Sequence, residues 1–473
     1  MCGRAVERAR WRARVRLAEE GGVVRLMLKS ALRQSWRDRE CVQFGVDPER
    51  AVVLEPVDGP SAGFLSLLDG TRSADALTRE AGALGLEPDR VRRLLVLLAE
   101  GGVLDDASAH ADLSGALRHR TDMLDRLRPD LAALSVLHPG PGEGALRIRH
   151  RRRSRVRVLG AGRVGAAVAS LLSAAGVGAV DVVDVGRVEP WDVGPAGFPA
   201  EQVGERRDAA GRGAVRRAAP GAARHGRAGP AAPAGAADAP GRTVTVVAPR
   251  DGLLAYAPDV AQSRRLVASG VPHLYTGVLE GSGIIGPLVL PGRTGCGECQ
   301  GLALADRDPA WPRMLAQLRS GHPVAVPACD IALATAVAGL AAAHVLAHLD
   351  GRVPPSAGAR VELSLGRLST RVRALPADGR CGCGAAARAR SEEAPGRSEA
   401  PAAGEGTVTG AAGADAASST GAAGSTVGAG TAATVPAPAA GFGAGATVST
   451  AAGTPRGVWT GSGVRPRLAH IGG

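Results

Sequence analysis

Residues 155–188, RVRVLGAGRVGAAVASLLSAAGVGAVDVVDVGRV, run in the order strand, glycine turn, helix, strand. Residues 156–159 supply the first strand, and Gly160, Gly162 and Gly165 then fit G-x-G-x-x-G. Glycine at these three positions permits a tight turn, a close approach of backbone amides to phosphate, and tight packing of the helix on the sheet. The helix N-terminus adds partial positive charge and free N–H groups. Asp184 stands at the end of the second strand, 24 residues after Gly160, where a carboxylate can accept from ribose hydroxyls. The pattern predicts a Rossmann-like α/β domain and leaves NAD, FAD, S-adenosylmethionine and ATP open as ligands.

Downstream of this unit, Cys296-Gly-Glu-Cys299 and Cys381-Gly-Cys383 form two close pairs about eighty residues apart. Each pair is a two-ligand clamp, and a fold that joins the clamps makes a tetrahedral thiolate site for Zn2+. Four thiolates leave no open coordination position, so such a zinc would be structural. The other readings of these cysteines are unpaired buried thiols or a redox pair. Residues 330–350, DIALATAVAGLAAAHVLAHLD, approach the roughly 20 apolar residues that span a bilayer. Their Ala and Gly content, two histidines and the Asp350-Gly351 stop favour a buried helix with a glycine cap.

Upstream, CVQFGV (41–46) and AVVLEPV (51–57) flank an Asp-Pro-Glu-Arg turn and read as a hairpin. Three helical segments follow, the last opened by Pro88 with Val91, Leu94, Leu95 and Leu98 on one face. Val103 and Leu104 would add a short final strand. The expected organisation is a small winged-helix-like α+β domain over residues 27–107, a helical linker over 108–150, and the nucleotide-binding domain with its cysteine site over 151–384. Residues 385–473 read as a disordered Ala/Gly-rich tail, since 385–441 contain no Leu, Ile or aromatic residue to offset ordering entropy. Residues 206–242, rich in Gly, Pro and Arg, read as a surface insertion or a corrupted reading frame, and residues 1–26 as lying outside the native domain.

The net charge of +12 invites a nucleic-acid reading, but Lys29 is the only lysine. Arginine spread along the chain fits a coding bias better than a phosphate-binding patch, so nucleic acid is not the expected partner. The cationic start has no apolar run of the kind a signal peptide carries, and a cytoplasmic location with no membrane contact is expected.

The glycine loop, the segment GVPHLYTGVLEGSGIIGPLVLPGRTGCGECQ (270–300) and the late cysteine pair together resemble the ThiF/MoeB ubiquitin-activating-type superfamily. The order of a front domain that resembles PqqD-like peptide-recognition modules, and the segment ADRDPAWPRMLAQL (305–318), are most similar to actinobacterial ThiF-like proteins. That resemblance implies an adenylyltransferase using ATP and Mg2+ that activates a carboxylate of a peptide or small carrier protein as an acyl adenylate. It places Gly160, Gly162 and Gly165 at the phosphates, Asp184 at the ribose, Arg207 as a positive charge and Asp251 at magnesium, and it implies a homodimer. The chain departs from the family where an Asn and an Arg would stand, reading Pro190-Trp191-Asp192, and where a further glycine gives way to Arg163. Cys329 is the one candidate thioester nucleophile, and its place ahead of an apolar helix favours burial instead.

Three rival functions remain open. One is an adenylation-inactive scaffold that binds a leader peptide and delivers the precursor to a YcaO-type cyclodehydratase. Another is a DNA reader using Arg90, Arg92 and Arg93 on the third helix of the front domain. The third is hydride transfer, for which the chain offers no convincing substrate site.

Overall fold

The computed structural model describes residues 24–116, 121–221, 241–321, 326–393 and 467–470. The front unit begins with β1 (Leu26–Leu28), β2 (Gln34–Trp36), β3 (Val42–Phe44) and β4 (Val52–Glu55), followed by α1 (Gly59–Leu67), α2 (Ala74–Ala83), α3 (Pro88–Glu100) and β5 (Leu104–Asp106). The expected hairpin is β3–β4, antiparallel with Gln43 opposite Val53. Strand β2 joins its far side although all three of its residues are exposed, which is why no apolar alternation announced it. Strand β5 pairs with β1, and so closes a separate two-stranded ladder instead of extending the hairpin into a wing. The helices start where their caps demand. The Asp58 carboxylate accepts from Ser61 N–H, the Ser73 hydroxyl from Ala76 N–H, and Pro88 occupies the first turn of α3. Val91, Leu94 and Leu98 are the buried face of α3, packed with Phe44, Leu54, Phe64 and Leu77.

Three helices connect this unit to the rest: α4 (Ala107–Ala116), α5 (Thr121–Leu137) and α6 (Glu143–Arg153). They carry a small core of Leu113, Leu127, Leu134 and Ile148. The junction is also polar. Lys29 Nζ donates to Pro139 O at 2.9 Å, and Asp105 Oδ1 accepts from Gly142 N–H at 2.8 Å. Asp105 Oδ2 lies 3.1 Å from His110 Nε2, a hydrogen bond that raises the His110 pKa above its ordinary value. A raised folded value means that this pair stabilises the fold below the usual histidine range, and that the contribution is lost as pH rises through the raised value. Melting temperature measured against pH should show that loss, and His110→Gln should flatten it.

The main unit runs β6 (Arg155–Leu159), α7 (Arg163–Ala174), β7 (Ala179–Val183), α8 (Arg207–Ala218), β8 (Thr243–Val247), α9 (Gly252–Tyr256), α10 (Val260–Ala268), β9 (His273–Leu279) and β10 (Ser282–Val289). Then come α11 (Gly297–Arg307), α12 (Trp311–Ser320), α13 (Ile331–Leu349), β11 (Ala359–Ser364), β12 (Ser369–Ala374) and α14 (Ala385–Glu393). The seven-stranded sheet has the order β12-β11-β10-β9-β8-β6-β7. Strands β7, β6, β8 and β9 are parallel, and the ladder turns antiparallel from β9 outward. Helices α7 and α13 pack against each other over the sheet, burying Val168, Leu172, Val337, Ala341 and Val345 in one core. Helix α13 is long and apolar enough to cross a membrane by composition, yet its buried face forms part of this core, and its end is marked by Gly351 at φ +84°.

Helix α8 corrects the reading of 206–242 as an insertion or a corrupted frame, because Arg207–Ala218 is an integral layer of the fold against α7 and β7. Its glycine serves close approach: a Cβ at Gly211 would meet Val182 Cγ1 at 2.6 Å. Residues 222–240 of that stretch, residues 1–23, and 394–466 of the segment read as a tail lie outside the described residues. Within 385–473, residues 385–393 form α14, and Arg467–His470 forms a strand, β13, parallel to β4.

Candidate functional site

At the carboxyl end of β6 the chain turns through Gly160 at φ +103°, a conformation that side chains rarely adopt. A Cβ there would sit 2.1 Å from Ala248 O, and one on Gly165 would sit 2.0 Å from Gly160 O. The two glycines therefore let loop, helix α7 and strand β8 close on one another. Gly162 is the N-cap of α7 and faces the Arg250 side chain, whose Cγ would lie 2.8 Å from an added Cβ. Asp184 Oδ2 accepts from Ala161 N–H at 2.6 Å, which holds its carboxylate against the glycine loop.

Beyond the loop lies a pocket lined by Gly162, Arg163, Gly165, Trp191, Asp192, Pro249, Arg250, Val278, Pro327 and Cys329. Asp192 is its electrostatic centre. The carboxylate is buried, with Oδ2 3.0 Å from Arg207 Nε and Oδ1 3.2 Å from Arg250 Nε. Oδ2 also accepts from Glu189 N–H, which caps the turn Pro190–Asp192. Arg163 Nη1 donates to Cys329 O at 2.7 Å. Two arginines thus share one aspartate at the pocket, and a third, Arg163, is held by a backbone carbonyl. Two donors on the pocket wall, Arg163 Nε and Trp191 Nε1, are buried with no hydrogen-bond partner. Buried donors left unpaired are costly, and a ligand rich in acceptor oxygens would satisfy them. The donor set fits a polyanion such as a nucleotide triphosphate.

The structure brings Gly160, Gly162, Gly165 and Asp184 together, and it sets Arg207 behind the pocket as the buried partner of Asp192. It does not bring Asp251 there. That carboxylate is exposed and accepts from Leu253 N–H as the N-cap of α9. The remaining acid at the pocket, Asp192, is engaged by two arginines, so the described residues offer no ready carboxylate set for Mg2+. Cys329 is half-buried in the pocket wall, and burial pushes its thiol pKa up, as suits a protonated thiol rather than a nucleophile. The sequence marked Trp191 and Arg163 only as departures from the family and gave no signal for Arg250, because their place in the pocket depends on three segments meeting.

A second cluster joins the N-terminus of α11 to the chain after β12. The sulfur atoms of Cys296, Cys299, Cys381 and Cys383 lie within 4.8 Å of one another. Cys296 to Cys381 is 3.6 Å, Cys299 to Cys383 3.7 Å and Cys296 to Cys299 3.9 Å. A tetrahedral zinc with Zn–S bonds of about 2.3 Å requires S–S edges of about 3.8 Å, so the four sulfurs fit it. Asp378 N–H points at Cys299 Sγ at 3.4 Å, the kind of backbone donor that supports a thiolate. The set is compatible with zinc and has no place for a substrate.

Fold and pockets define a Rossmann-type nucleotide-binding domain with an appended four-cysteine site. A family model described as ThiF family matches residues 142–385, just over half of the chain, and the protein belongs to that family. No curated protein matches it in sequence. Among solved structures it is similar to Escherichia coli MccB bound to succinimide, at 14% identity and TM-score 0.55, covering 76% of this chain and 99% of that one. MccB described as a microcin C7 biosynthetic enzyme in complex with N-formylated MccA aligns over the same shares, at 14% identity and TM-score 0.54. The heterocyclase TruD matches at 15% identity and TM-score 0.50, over 76% of this chain and 43% of its own length. At such identities these likenesses show the fold: a ThiF/MoeB-like adenylating fold behind a front unit.

Proposed function

We propose that the chain is an ATP-dependent adenylyltransferase that activates a carboxylate of a peptide or small carrier protein, in the manner of ubiquitin-like modifier activation, within ribosomal peptide modification. The observation that carries this reading is the pocket at the glycine loop, lined by Arg163 and Arg250, with Arg163 Nε and Trp191 Nε1 unpartnered in its wall. In the step proposed, a carboxylate oxygen of the substrate attacks the α-phosphorus of ATP. The bond from that phosphorus to the bridging oxygen breaks, and pyrophosphate leaves with the electron pair. Arg250 and Arg163 oppose the charge that gathers on the phosphates, and the first-turn amides of α7 hold the chain of phosphates in place. Asp184 orients the ribose. Mg2+ would accompany the nucleotide, shielding the charge of its phosphates.

The front unit serves, in this reading, as a peptide-recognition module. Two of the three arginines of its third helix are engaged within the unit, Arg90 with Asp58 at 2.9 Å and Arg92 with Asp89 at 2.7 Å. We place the protein in the cytoplasm, where ATP is available and thiols stay reduced, and infer a homodimer. The likeness to MccB solved with ATP and with N-formylated MccA supports the reading.

Equilibrium binding of ATP to the zinc-loaded protein, with and without Mg2+ and with NAD as competitor, tests it. ATP should bind in the micromolar range, NAD should not displace it, and Asp184→Ala should weaken binding by roughly tenfold, the value of one good charge-assisted contact. A folded, zinc-containing chain that binds no ATP ends the adenylation reading. One observation favours a second reading. Asp192 already neutralises two of the arginines, as suits a scaffold that delivers a precursor peptide to a YcaO-type cyclodehydratase without itself using ATP.

A further inference from the structure

In the front sheet the order is β13-β4-β3-β2, so the edge of β4 is covered by the chain's own Arg467–His470. The pairing is parallel and in register, Arg467 opposite Val52, Leu468 opposite Val53, Ala469 opposite Leu54 and His470 opposite Glu55. Residues 394–466 separate this strand from α14, so nothing local in the chain dictates the pairing. β4 itself is a core strand, with Val52, Val53 and Leu54 at 3% exposure or less. Its outer row of N–H and C=O groups is a template for one further strand, and an edge of this kind recruits an extended segment through main-chain bonds without reading its side chains.

We propose that Arg467–His470 is an intramolecular occupant of the front unit's strand-accepting edge, and that an extended substrate peptide must displace it to bind. This rests on the peptide-recognition half of the proposed function and on nothing in the nucleotide pocket. The same four backbone positions of β4 cannot pair with both segments, so occupancy by β13 lowers the apparent affinity for any incoming strand by the fraction of molecules whose edge is open. The occupant is well matched to that task. Four residues in a parallel ladder form a short and weak pairing, while tethering keeps its local concentration high.

The test compares the full chain with Leu468→Pro/Ala469→Pro, which removes two adjacent backbone donors. In a parallel ladder alternate residues face the partner, so one of the two is always a bonding donor. A chain lacking Val464–Gly473 is the second variant. The probe is a labelled synthetic peptide, VRPRLAHIGG, of residues 464–473. It should bind both variants about tenfold more tightly than the full chain, and amide exchange at Val52–Glu55 should be slow in the full chain and faster in both variants. Equal binding to all three proteins, or no binding to any, overturns the proposal, as does unchanged exchange at β4. Neither readout involves ATP, so a protein that fails to bind nucleotide while showing both effects loses only the adenylation reading.

Discussion

Replacing Cys299 with serine, or stripping the metal with a strong chelator, should release about one zinc per chain and lower the melting temperature sharply. The four sulfurs join two segments that the sequence separates by about eighty residues, the start of α11 and the turn before α14. Around them Val247, Tyr275 and Val289 form a small core of their own. Without a cation the site is electrostatically awkward. Burial pushes the Cys381 thiol up, whereas the hydrogen bond from Cys296 holds Cys299 down. A dication resolves this by binding all four as thiolates, and binding free energies for such sites are on the order of 10 kcal/mol and are spent on folding. Loss of one ligand should therefore open 296–307 and 381–393 to protease before the main sheet unfolds. Cys329→Ser, outside the cluster, should leave metal content unchanged. A protein that purifies without zinc and melts unaltered in chelator would remove the metal from the account.

The parts of this site that were legible in the sequence are those whose chemistry is local. Gly160, Gly162 and Gly165 are demanded by one turn and its immediate neighbours, and Asp184 by the end of the adjacent strand. The cysteine pairs were legible because two thiols at clamp spacing have few other uses. What escaped was non-local or masked by composition. Asp192 and Arg250 meet Arg207, which the family resemblance had named as a charge, from a 3-10 turn and a loop after β8, and no spacing rule links them. Helix α8 was hidden by its own arginines and glycines, which burial of Arg207, Ala210, Gly211 and Ala214 explains only once the sheet is in place. Asp251 was expected at magnesium because it follows the right strand. In the structure it also meets a shorter-range demand, since an aspartate one residue ahead of a helix caps it. Strand β13 carries no signal that could have been read, because its reason for being extended is another strand's edge.

Asp192 sits between Arg207 and Arg250 at the pocket, and its two substitutions should pull stability and binding in opposite directions. Asp192→Ala removes the carboxylate from between Arg207 and Arg250 and leaves the Arg207 guanidinium, 5% exposed, without its counter-ion. Breaking a buried pair in this way costs about 3–5 kcal/mol, so that variant should melt far below the parent or fail to fold. Asp192→Asn has nearly the same shape. Its amide oxygen still accepts from one arginine while its NH2 group faces the other, so the stability loss should be smaller than for alanine but still about 2–3 kcal/mol. The pocket, meanwhile, gains a full unit of positive charge beside two unpartnered donors. For a ligand carrying several negative charges in a partly enclosed site, one such unit is worth roughly a tenfold gain in affinity. ATP should therefore bind Asp192→Asn more tightly than the parent chain at low salt, with the advantage shrinking as ionic strength rises. Titration calorimetry at two salt concentrations reads both effects. Weaker ATP binding by a well-folded Asn variant would mean that the carboxylate itself supports the nucleotide, by aiming Arg250 or by holding a metal ion. The arginines would then be arranged by Asp192 rather than silenced by it.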